Sequence, residues 1–154
     1  MRMVRNENRP RGRRDIRRGL FRLAALAMVA CSAAVPGNVR LSTGSATIGP
    51  DEHRAVVSAV TPDSLTVQGT ISTPTPCYSL ISWRTGTVGN LEMRIIARPT
   101  PTSDQACAQA IAQIPYTGVT DVSGTGSLRL RVVHAYQSVS LPPVTVLDTT
   151  VVVP

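Results

Sequence analysis

Leu91-Glu92-Met93-Arg94-Ile95-Ile96-Ala97-Arg98 alternates a small or large apolar residue with an almost always charged one. A period of two sends Leu91, Met93, Ile95 and Ala97 to one face of an extended strand and Glu92, Arg94, Ile96 and Arg98 to the other. One face is therefore built for a core and the other for water. The same rhythm returns in Leu65-Thr66-Val67-Gln68-Gly69-Thr70-Ile71-Ser72 and in Ser127-Leu128-Arg129-Leu130-Arg131-Val132. Residues 53–60, 77–84 and 144–153 are further runs with strand composition. Thr61-Pro62-Asp63-Ser64 and Gly86-Thr87-Val88-Gly89-Asn90 stand between runs as hairpin connections. Six or so strands separated by turn residues in roughly 100 residues predict an all-β fold, an antiparallel β-sandwich over residues 51–154.

One segment departs from this rhythm. Residues 103–114 are rich in Ala and Gln, open with Ser103-Asp104 as an N-cap, and place Cys107, Ala110, Ile111 and Ile114 at helical spacing before Pro115. The expectation is one short helix crossing between the sheets.

Upstream, Leu23-Ala24-Ala25-Leu26-Ala27-Met28-Val29-Ala30 is an apolar run of eight residues behind a strongly basic leader. A positive region, a short apolar run and small residues at its end are the parts of a secretory signal peptide. The run is too short to span a bilayer, which takes about 20 residues. Met28-Val29-Ala30-Cys31 resembles the lipobox of bacterial lipoproteins. That resemblance implies cleavage before Cys31, a diacylglyceryl thioether on its sulfur, and a membrane anchor facing the periplasm or exterior. Ordinary signal cleavage after Ala34, behind Ser32-Ala33-Ala34, is the alternative. Arg17-Arg18-Gly19-Leu20-Phe21-Arg22 loosely resembles a twin-arginine signal, so general and twin-arginine export both stay open.

Nine Arg against Glu7 and Asp15 in residues 1–22 carry the whole formal charge of +7. Residues 31–154 hold seven Arg and seven acids, so the mature body is neutral. The high pI therefore belongs to the leader, where arginines orient the signal, and no nucleic-acid partner is expected. Residues 31–50 are rich in Ser, Ala, Gly, Thr and Pro. They read as a lipidated tether, with room for a short edge strand, between the signal (1–30) and the sandwich domain (51–154).

Val122-Ser123-Gly124-Thr125-Gly126-Ser127-Leu128-Arg129-Leu130-Arg131-Val132, a Pro-containing connection and a terminal valine-rich strand resemble the last two strands of immunoglobulin-like and fibronectin type III domains. The resemblance covers about 35 residues and lacks the usual tyrosine of the corner, Leu128 standing in its place. It implies an immunoglobulin-like sandwich and no particular partner.

With Cys31 assigned to the anchor or removed, Cys77 and Cys107 are an even pair in an oxidising compartment, where pairing is the default. No Cys-x-x-Cys and no neighbouring His spacing points to a metal, and no cofactor is expected. His53 and His134 are the two histidines. His134 and Tyr136 continue the inward phase of Leu128, Leu130 and Val132, which reads as a hydrogen-bonded histidine at the core's edge. Gly124-Thr125-Gly126-Ser127 lacks the helix and Lys of a phosphate loop and reads as a turn. No catalytic residue is assigned.

The outward residues Arg94, Ile96 and Arg98, with Arg129 and Arg131, form the candidate contact surface, since arginine beside apolar groups is common where proteins meet. The expected function is a non-enzymatic, membrane-anchored envelope lipoprotein that binds or supports an envelope protein. A small secreted hydrolase or ligand-binding protein with a loop-built site is the alternative.

Overall fold

The computed structural model describes residues 37–49, 53–101, 106–137 and 140–154, and every regular element in them is a strand. In chain order these are β1 (Arg40–Thr43), β2 (Thr47–Ile48), β3 (Arg54–Val60), β4 (Ser64–Thr73), β5 (Tyr78–Thr87), β6 (Asn90–Pro99), β7 (Ala112–Asp121), β8 (Gly126–Tyr136) and β9 (Val144–Val153). They form two sheets in a sandwich-like arrangement. Sheet I runs β1-β7-β4-β3, with β2 also paired to β7, and sheet II runs β5-β6-β8-β9.

Faces separate as the period of two requires. Leu65, Val67 and Ile71 of β4, Met93, Ile95 and Ala97 of β6, and Leu130 and Val132 of β8 have no exposed surface. Leu65, Val67, Met93, Ile95, Leu130 and Val132 share one core with Tyr116 of β7. Burying a side chain of this size contributes about 1.5–3 kcal/mol, so the three alternating stretches supply most of the drive to close the sandwich.

All strand pairs are antiparallel except β6 and β8, which run parallel with Leu91 beside Leu130 and Met93 beside Val132. This corrects the expectation of a purely antiparallel sandwich. After β6 the chain crosses to sheet I, runs back along β7, and returns to sheet II, so β8 starts at the end where β6 started. Parallel neighbours need such a crossover, and local alternation carries no information about it.

The helix expected over 103–114 is also corrected. Residues 106–111 have no helix and residues 112–114 open β7; residues 102–105 lie outside those described. Helical spacing would bury Ile111 with Ile114, yet Ile111 is 47% exposed while Ala112 and Ile114 are buried. The period of two through Ala112, Ile114, Tyr116, Gly118 and Thr120 prevails. Pro115 sits inside β7 because its carbonyl accepts from Gly44 N at 2.9 Å. Its absent N–H points the same way, towards the gap between β1 and β2, so no ladder bond is lost.

Part of the stretch composed like a tether is seated in the sandwich. Gly37 exchanges backbone hydrogen bonds with Arg84 of β5 at 3.1 and 3.0 Å, and β1 and β2 pair along β7. Residues 37–43 thus pass from the edge of sheet II to that of sheet I. The sulfurs of Cys77 and Cys107 are 2.07 Å apart, which ties the start of β5 to the β6–β7 crossing. The signal, the lipobox and Cys31 lie outside the described residues.

Candidate functional site

The outward positions of sheet II gather most of the predicted contact residues onto one surface. Glu92, Arg94, Ile96 and Arg98 share the outer face of β6, and the parallel register sets Glu92 beside Arg131, Arg94 beside Val133 and Asn90 beside Arg129. From the other side β5 sets Thr85 beside Glu92, Trp83 beside Arg94, Ile81 beside Ile96 and Ser79 beside Arg98. Adjacency of the two arginine-bearing strands, which sequence left open, is real.

Across this face the charges form a ladder. Arg129 grips Asp148 of β9 with two bonds of 2.9 Å. Arg131 lies 3.8 Å from Asp148 and 3.7 Å from Glu92. Arg94 binds Glu92 at 2.7 Å. The hydrogen bond from Arg129 holds the Asp148 carboxyl below the usual carboxylate range and raises the guanidinium in return. Each exposed pair is worth little by itself; their effect is to fix three long side chains in place. Arg98 donates to Ser79 Oγ at 3.2 Å.

Beside the ladder lies an apolar step. Trp83 is 51% exposed, the one tryptophan of the chain, with Ile81 and Ile96 on the next rung. Val133, which shares the outward phase of Arg129 and Arg131, is only 5% exposed, flanked by Arg94 and Thr145. An aromatic in so aromatic-poor a chain is expected to fill the core, and Trp83 corrects that expectation: its outward position follows from the pairing of β5 with β6.

Inside the sandwich the two histidines meet. Tyr116 Oη lies 2.8 Å from His134 Nε2, His134 Nδ1 lies 3.3 Å from His53 Nδ1, and His53 Nε2 lies 3.4 Å from Tyr136 Oη. Tyr136 donates in turn to the carbonyl of Ser72. A carbonyl only accepts, and that sets every proton in the neutral chain. Tyr136 spends its hydrogen on Ser72, so His53 donates from Nε2; His53 Nδ1 then accepts from His134 Nδ1, and His134 Nε2 accepts from Tyr116.

Two of these contacts join the sheets. Tyr116 of sheet I meets His134 of sheet II, and Tyr136 of sheet II meets Ser72 of sheet I. Gly69 makes room, because a Cβ there would overlap the Tyr116 phenol and approach Arg54 O to 2.6 Å. Burial lowers the His134 pKa to about 3, with help from the charge that His53 would carry, and burial also pushes the Tyr116 hydroxyl up.

His134 has no exposed surface. His53 and Tyr136 are partly exposed and form the open end of the relay. The inward placement of His134 follows from strand phase, as expected from sequence. Its partners do not: His53 and Tyr116 are 81 and 18 residues away. Among the described residues, no three His, Cys, Asp or Glu side chains come together as a metal-binding group.

Comparison with protein-family models, with curated proteins and with solved structures finds no match for this chain.

Proposed function

We propose that this chain is a non-enzymatic lipoprotein of the bacterial envelope, anchored through Cys31, whose sandwich domain works by contact with an envelope protein on the outer face of sheet II. One observation carries the contact reading. Trp83 stands half-exposed beside Arg94, with Ile81 and Ile96 on the adjoining rung, on a face whose arginines are held in a fixed ladder. Tryptophan and arginine are the residues most often found at the energetic centre of protein interfaces. A preformed ladder also lowers the side-chain ordering cost of docking.

The address rests on the basic leader, the short apolar run and Met28-Val29-Ala30-Cys31. A fatty-acid analogue should label the wild type and miss Cys31→Ser; equal label in both overturns the anchor. The finer description of the sandwich as immunoglobulin-like rests on residues 122–153. Their two strands are an antiparallel pair, whereas the parallel β6–β8 pair departs from the sheets that the resemblance implies.

The contact reading is tested by replacing Trp83, Arg94, Ile96 and Arg131 together with Ser and measuring partner recovery from cross-linked envelopes. Loss of the partner with an unchanged unfolding midpoint supports it. Unchanged recovery rejects it.

The open end of the relay favours a second reading, a ligand-binding or hydrolytic site at His53 and Tyr136. A double variant, His53→Ala/His134→Ala, separates the two readings. If it loses function while the sheet II variant keeps it, the relay is the site.

A further inference from the structure

The sandwich has four sheet edges, and three are blunted by their own chain. β5 is covered at Arg84 by the paired backbone of Gly37. β1 and β2 are short strands of 4 and 2 residues, interrupted over residues 44–46. β3 is broken by a bulge between Val57 and Ala59. Short, bulged and covered edges are the ordinary means by which sheets avoid pairing with other chains.

The fourth edge, β9, has β3 of sheet I packed beside it but not hydrogen-bonded to it in a ladder, and carries a bulge near its start. Its register shifts at Val146, and from Leu147 to Val153 it pairs with β8 without a break. Leu147-Asp148-Thr149-Thr150-Val151-Val152-Val153 is rich in β-branched residues, contains no Pro and carries one charge, which Arg129 already holds. Among the described residues no backbone hydrogen bond from a loop reaches this strand. Every second residue therefore points an N–H and a C=O outward along the edge. Burial is unfinished there too: inward-facing Leu147 and Val151 pack on the core yet are only partly buried, whereas Leu130 and Val132 on the neighbouring strand are fully buried. Val152 is 69% exposed on the outer face.

We propose that β9 pairs antiparallel with β9 of a second copy of this chain, joining two four-stranded sheets into one of eight strands about a two-fold axis at Thr150. The unbulged segment itself sets this register, bounded by the bulge at Val146 and by Pro154. Centred on Thr150, all of it pairs: Leu147 faces Val153, Asp148 faces Val152, and Thr149 faces Val151 of the other copy. Inward residues meet inward residues, so the two apolar faces are continuous. Asp148 stays away from its own mate, whereas a register centred on Asp148 would set two carboxylates side by side, which destabilises a sheet. The pairing does not depend on the outer-face contact proposed above and leaves Trp83, on the opposite edge strand, free for it.

The test uses the full chain extracted in mild detergent from the cells that make it. Sedimentation velocity should find a dimer. Thr150→Cys, oxidised, should give covalent dimer several-fold above Thr85→Cys, which lies on the exposed face of β5. Thr150→Lys and Thr150→Glu, which put like charges of either sign on the axis, should each weaken association at least ten-fold while leaving the circular dichroism of the folded strands unchanged. A monomeric wild type, equal cross-linking from positions 85 and 150, or a dimer indifferent to both charge variants overturns the proposal.

Discussion

Acid should weaken this fold well above the range where carboxylates protonate, through one residue. His134 is fully buried and neutral, its pKa lowered from 6.5 to about 3 mainly by burial and secondly by the charge of His53. The unfolded chain therefore binds a proton between these values that the folded chain refuses. Stability is unaffected above about pH 6.5, falls as pH drops through the window, and levels off below about pH 3. At about 1.4 kcal/mol per decade of proton activity, the loss is about 1.4 kcal/mol at about pH 5.5 and about 2.7 kcal/mol at about pH 4.5. Against a net stability of about 5–15 kcal/mol for a small domain, this is a large fraction. Asp148, held low by Arg129, loses its contribution only as pH falls below its ordinary value of 3.8, so the upper window isolates the histidine. The assay is the urea midpoint at about pH 7.5, 6.5, 5.5 and 4.5 for wild type and His134→Gln. The variant should be less stable at neutral pH and lose little more on acidification. Parallel losses in both proteins would show that His134 does not govern the response.

Tyr116→Phe should cost about 1–3 kcal/mol in chemical denaturation, because it leaves the Nε2 lone pair of His134 buried without a donor. Gly69→Ala should cost about 1–3 kcal/mol or more, since the new methyl is opposed by the Tyr116 phenol and by the Arg54 carbonyl at 2.6 Å; a smaller loss in the unfolding midpoint would mean the phenol moves aside freely. Reducing Cys77–Cys107, which closes a separation of 30 residues, should lower stability by roughly 3–4 kcal/mol on the chain-entropy model, read as a lower thermal midpoint in reductant.

What the sequence discloses here is what repeats every two residues. The inward sets of β4, β6 and β8 were legible because each alternation is local and each error would bury polar side chains, charged ones in β6 and β8. The outward set Glu92, Arg94, Ile96 and Arg98 followed from the same phase. β7 was hidden because Ala and Gln lower the contrast on which a period is judged, and because Pro115 usually ends an element. Only the break in the neighbouring edge, between β1 and β2, lets a proline stand within it. The parallel β6–β8 neighbourhood depends on a round trip through the other sheet, and the relay joins residues from β4, β7 and β8 with His53, which precedes β3. Neither leaves a local trace. A weak trace of the relay exists in Gly69, a missing side chain in an otherwise apolar inward set, which the Tyr116 phenol fills.

The most direct measurement of the central claim is site-specific photo-cross-linking in living cells. A photoreactive residue replaces Trp83 on the outer face of sheet II, and another replaces Gln68 on the outer face of sheet I. The account predicts a discrete adduct with another envelope protein from position 83, none from position 68, and loss of the first when Arg94 and Ile96 become Ser. No adduct from position 83, or the same adducts from both faces, would contradict it.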